Sequence, residues 1–176
     1  GDNAWRLARG ADTQTMDFGF TAGGDRGWQA ARTVSEVPLG EWHHVAATID
    51  TVEGAKIYLD GVLEGENPDT GGITVGDYPV LIGENSQALN RFWNGLIDEV
   101  AIYSRALSEA EIRYLAGERA VPVDPGSNGL VAFFPLENDT LDASGNGNDG
   151  TMVGDPIFVD GPAGLGMAME FDGDDH

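Results

Sequence analysis

The chain has 176 residues, enough for one well-packed domain or for one domain and part of another. Nine basic against 30 acidic side chains give a formal net charge of −21, which repels phosphate backbones and anionic lipid and argues against nucleic-acid and membrane-surface partners. With no cysteine there are no disulfides, no thiolate chemistry and no Cys-based zinc site, and no apolar run is long enough to predict membrane insertion.

The 26 glycines suit short strands joined by tight turns. Most of the carboxylates read as a solubilising surface, although an acidic excess also suits a protein that holds divalent cations. The chain opens at Gly1 without a Met and reads as a piece of a longer protein, so a missing signal peptide is uninformative.

In chain order, "TMDFGFTA" alternates Met16, Phe18 and Phe20 with Asp17 and Gly19, the pattern of a half-buried strand. "WHHVAATID" continues it through Val45, Ala47 and Ile49. "AKIYLDGVLEGE" predicts a hairpin turning at Asp60-Gly61. "YPVLIGEN" reads as a short strand closed by Gly83, and "RFWNGLIDEVAIYSR" as the longest strand. On that long strand Leu96, Asp98, Val100 and Ile102 share one face. "LSEAEIRYLAGE" predicts a helix: Ser108 and Glu111 form a capping box, and Gly117 stops it. Residues 118–128 have linker composition, and β structure resumes in "GLVAFFPLE", "TMVGDPIFVDG" and "GMAMEFDGDDH".

These segments together resemble the laminin-G-like jelly roll of the concanavalin A-like lectin/glucanase superfamily. "GEWHHVAATID", "KIYLDGVLEGE", "IGEN" and "FWNGLIDEVAIYSRALSEAEI" are similar to the later half of that domain, in order. "GLVAFFPLENDTLDASGNGNDGTMVG" and "GMAMEFDGDD" resemble its beginning. The fold implied is all-β, an antiparallel jelly-roll β-sandwich with one short helix. The order is reversed, however, so 1–117 reads as later strands, 118–128 as linker and 129–176 as opening strands. An unpaired "GLVAFFPLE" would leave an apolar sheet edge open to aggregation. Residues 129–176 are therefore expected to complete the same sandwich in permuted form, or a swapped one in a homodimer.

"DASGNGNDG" packs Asp142, Ser144, Asn146, Asn148 and Asp149 into a Gly-rich loop that calcium would suit, and that a plain solvated turn would suit equally. The resemblance implies a structural calcium between this loop and the paired long strand. Its ligands would be Asp142 with Ser144, Asn146 or Asn148, faced by Asp98, and Asp172 as a weaker candidate. Asp98 stands out by itself, because a carboxylate on an apolar face is costly unless paired.

Trp28, with Arg26 nearby, is a candidate stacking surface for a sugar ring, and Tyr78 another ligand-contacting aromatic. No catalytic residue is assigned. Glu170, Asp172 and Asp174 alternate on a strand, but retaining glycosidases need two carboxyls ~5 Å apart, and Gly173 stands where an apolar residue belongs. The resulting expectation is a non-catalytic, calcium-stabilised binding module of a larger secreted or cell-surface protein. Its partner would be carbohydrate or an extracellular protein, beside neighbouring repeats of the parent chain. A spacer repeat of an adhesin is the second reading, and a glucanase-like hydrolase the third.

Overall fold

A computed structural model describes residues 4–10, 13–24, 26–74, 76, 79–84, 91–118 and 123–174. The described residues form antiparallel sheets and one short helix, the class expected. The chain divides into two compact units, Gly1–Tyr78 with Arg105–Pro125, and Pro79–Ser104 with Gly126–His176.

The first unit is a sandwich of two three-stranded sheets. One contains β1 (Trp5–Arg9), β2 (Met16–Ala22) and β3 (Gly27–Arg32), and the other β4 (Val45–Asp50), β5 (Gly54–Leu59) and β6 (Val62–Asn67). Strict alternation on β2 buries Met16, Phe18, Phe20 and Ala22 against Ala55, Ile57 and Leu59 of β5. Phe20 and Ile57 are fully buried, and each such side chain contributes about 1.5–3 kcal/mol on leaving water. The hairpin turns at Asp60 and Gly61, both in the left-handed region with φ of 50° and 80°, as a two-residue primed turn demands.

Helix α1 (Glu109–Leu115) has the expected capping box. Ser108 N–H donates to Glu111 Oε2 at 2.7 Å, and Glu111 N–H donates to Ser108 Oγ at 3.4 Å. Arg105 grips both Glu111 oxygens, at 2.6 and 3.0 Å, and holds that carboxyl down at about 2. Ile112 is the buried anchor, and the helix gives way at Gly117, with φ of 98°.

The second unit pairs β10 (Ile157–Asp160), β11 (Met167–Asp172) and β7 (Asn94–Ile97) in one sheet, and β8 (Val100–Tyr103) with β9 (Leu130–Phe134) in another. Ala132, Phe134, Leu136 and Met169 form its core, with Ile97, Val100 and Phe158 packed around them. Both ends of the chain segment 94–103 therefore find partners beyond residue 128: Ile97 faces Met169, and Val100 faces Phe134.

Two expectations are corrected here. Segment 94–103 is not one long strand but two short ones, broken at Asp98 and Glu99. Glu99 has a left-handed φ of 52°, and its N–H donates to Asp98 Oδ1 at 2.8 Å, a local bond that replaces the ladder. "YPVLIGEN" contributes no strand among its described residues. Gly83 has φ of 87°, its carbonyl accepts Trp93 N–H at 2.7 Å, and the Phe171 ring fills the space a Cβ would need.

Candidate functional site

The acidic loop after β9 is built around Asp142. Its Oδ1 accepts the Phe133 and Ser144 N–H groups at 3.0 and 2.9 Å, and its Oδ2 accepts Asn148 N–H at 2.9 Å. Hydrogen bonding from Ser144 and from these amides holds the Asp142 carboxyl well below the usual carboxylate range, although partial burial opposes it. Gly145 and Gly147 supply the left-handed turns, with φ of 84° and 77°.

The remaining polar side chains of the loop turn toward the strand. Ser144 Oγ, Asn146 Nδ2 and Asn148 Nδ2 all donate to the Val131 carbonyl, at 3.1, 3.0 and 2.9 Å, and Asn146 also reaches the Leu130 carbonyl at 2.9 Å. Ala143 N–H donates to the Phe133 carbonyl at 2.8 Å. The loop thus covers the edge of β9 that β8 leaves open, donor to acceptor. A cation needs oxygens with lone pairs to give. Here three of the roughly four acceptor positions of the Asp142 carboxylate are taken by N–H groups, and Asn146 and Asn148 turn their amide nitrogens to the strand.

Asp98 contrasts with it. Its Oδ2 is buried and has no hydrogen-bond partner among the described residues. Burial pushes its pKa up, the Glu99 N–H bond opposes this, and nearby Glu137 adds to the rise. Glu99 is shifted upward in the same way, by burial and then by Asp98 and Glu137. A Cβ on Gly161 would sit 3.1 Å from Asp98 Oδ2, and a Cβ on Gly166 would run into the Glu137 carboxylate. Glu137 Oε2 accepts Met167 N–H at 3.1 Å. The sequence reading missed Glu137, because only the folded turn at 161–166 brings it beside "LIDEV". Asp172 lies at the end of β11, where its Oδ1 accepts Asp174 N–H at 3.0 Å and its carbonyl accepts Asn94 Nδ2 at 3.0 Å. Among the described residues no three His, Asp or Glu side chains gather as a metal-binding group.

In the first unit the outward face of β1, β2 and β3 carries the exposed aromatic. Residues paired across these strands share a face, so Arg6, Gly19 and Ala30 align, as do Thr21 with Trp28, and Ala8, Asp17 and Arg32. The Trp28 indole lies over Gly19, where a Cβ would meet Cζ2 at 2.2 Å, and the Arg6 guanidinium stacks 5.2 Å from the ring centroid. Trp28 stays 43% exposed. Arg26 belongs elsewhere: its Nη1 bonds Asp69 Oδ1 at 2.6 Å, in a turn that Gly71 N–H also stabilises. Tyr78 lies outside the described residues. The residues missed by sequence reading are Arg6, Asp17 and Arg32, which no spacing along the chain connects.

The family model of laminin-G type, described as the concanavalin A-like lectin/glucanases superfamily, matches residues 1–113. The chain belongs to that superfamily. A crystal structure of an S-layer domain-containing protein from Clostridium thermocellum, residues 221–444, is similar at 29% identity with a TM-score of 0.42. The match covers 64% of this chain and 55% of that one, so this chain spans about half of that solved segment. No curated protein matches.

Proposed function

We propose that this chain is a non-catalytic binding module of a secreted or surface protein, taking carbohydrate as its ligand and calcium as a structural ion. The observation that carries the first part is Trp28: a large aromatic laid over Gly19 of the sheet and held by the Arg6 guanidinium, yet left exposed. Indole faces presented this way stack on sugar rings, and their orientation is fixed before the ligand arrives. Superfamily membership supports a binding role only as analogy, because one fold hosts many functions. The spacer and hydrolase readings are carried by no comparable feature.

Calcium is proposed at Asp98 rather than in the Asn-rich loop. The unpartnered Oδ2 of Asp98 and the neighbouring Glu137 carboxylate offer oxygens that a divalent cation would neutralise. Main-chain carbonyls and water would complete so flexible a coordination. The ion would relieve like-charge crowding and would supply no chemistry.

A glycan array with the intact protein and Trp28→Ala tests the binding role. Glycan binding that disappears in the variant, with the melting temperature preserved, is the expected result. Failure of the intact protein to bind any glycan would leave the spacer reading in its place. Incubation with polysaccharides is expected to release no reducing ends, and measurable hydrolysis would overturn the non-catalytic assignment.

A further inference from the structure

The outward face of β1, β2 and β3 is chemically unlike the rest of this acidic chain. Arg32 Nε bonds Asp17 Oδ1 at 2.9 Å, and Arg6 Nη2 lies 3.5 Å from Asp17 Oδ2. Two guanidinium groups therefore converge on one carboxylate and overcompensate it, in a protein whose formal net charge is −21. Asp17 is buried, while the Arg32 side chain is 63% exposed. Among the described residues the Arg32 guanidinium is engaged only through Nε, which leaves its two terminal nitrogens as a fork that matches a carboxylate. Arg6 Nε is buried without a hydrogen-bond partner, so its charge is also incompletely answered.

We infer that this face binds an anionic saccharide, with a uronate carboxylate on Arg32 and an adjoining sugar ring against Trp28. The inference rests on the carbohydrate reading above and narrows it to one ligand class. Trp28 and Arg32 are four residues apart on β3 and point to the same side, about 13 Å apart along the strand. Between them on that face lie Ala30 of β3 and Gly19 of β2, with Arg6 of β1 in the same row, so the span holds small residues and a second guanidinium. That length suits two to three linked sugar residues. Arg6 stacks on the indole, fixing its plane and adding positive charge beside it. The groove between α1 and the outer side of β4 and β5 also holds two cations, but Lys56 is bound to Glu53 and Arg105 to Glu111, so neither is left to recognise an anion.

Calorimetric titration of the whole chain with oligogalacturonate, oligoglucuronate and oligomannuronate tests this, alongside neutral oligosaccharides and the methyl-esterified form of each uronate. At least one uronate is expected to bind. Its methyl ester should bind about tenfold weaker or less, since a charged hydrogen-bond pair is lost, and raising NaCl should weaken the acid form alone. Arg32→Glu should cost about tenfold or more, and Arg32→Lys should recover only part of it. The ligand-side comparison stands even if a variant fails to fold. Equal affinity for acid and ester, or full binding by Arg32→Glu, would overturn the inference while leaving a carbohydrate module intact. No binding to any oligosaccharide, acidic or neutral, would remove the broader reading as well.

Discussion

The two acidic features of the second unit are near-opposites. Asp142 looks like a metal ligand by composition, yet its oxygens accept three backbone N–H groups and the Asn146 and Asn148 side-chain amides of its loop donate to β9. Asp98 sits in a hydrophobic-looking strand segment, yet its Oδ2 is buried with no partner among the described residues. What separates them is how many lone pairs the fold has already used. Residue type marks both positions as candidates, and only the hydrogen-bond inventory tells a structural staple from a carboxylate oxygen left without a partner among the described residues.

The largest effect that would sharpen this contrast is Asp142→Ala. Three buried or half-buried N–H groups lose their acceptor together, so the melting temperature should fall by about 10 °C, and by the same amount in calcium and in chelator. A loss confined to calcium-loaded protein would make Asp142 a ligand after all. Asn146→Asp comes next. It places a carboxylate against the Leu130 and Val131 carbonyls, which should lower the midpoint by about 5 °C. A metal ligand would respond in the opposite way, because the added charge would tighten calcium binding.

A smaller change is expected from Asp98→Asn. Removing a desolvated charge beside Glu137 should raise the midpoint in chelator by about 2–5 °C and abolish any gain from calcium. Destabilisation of the chelated protein by this variant would contradict an unmet carboxylate at this position. Acid titration separates the same two classes. Asp142 and Glu111 have pKa values held below the ordinary ones of 3.8 and 4.5. Their stabilisation is therefore complete above those values and is lost as the pH falls through them toward the depressed folded values. Chemical denaturation of Asp142→Asn should show a shallower loss below that range than the parent chain. The mildest substitution is Ser108→Ala, which removes the α1 cap at a cost of about 1 kcal/mol, and it provides a calcium-blind control in the other unit.

Much of the architecture was legible in the sequence where side chains alternate cleanly. β2, β4, the Asp60-Gly61 hairpin and the capped helix all follow from period, turn residues and the Ser108/Glu111 pair. β1 and β3 were not read, because "WRLAR" and "GWQAAR" mix Arg, Ala and Gln and carry no apolar alternation. The break at Asp98 and Glu99 was hidden for the opposite reason: the flanking residues alternate well enough to pass for one strand, and a left-handed Glu leaves no compositional mark. For the candidate sites, composition located Asp98, Trp28 and the Asn-rich loop, but not their partners. Glu137 and Gly161 meet Asp98 through a turn distant in sequence, and Arg6, Asp17 and Arg32 meet only through strand register.

The most direct test is the calcium dependence of thermal unfolding in the parent chain, Asp98→Asn and Asn146→Asp, each measured with excess calcium and with excess chelator. The parent and Asn146→Asp should gain equally from calcium, and Asp98→Asn should gain nothing. A calcium response that survives in Asp98→Asn but is changed by Asn146→Asp would move the ion back to the loop and contradict the assignment.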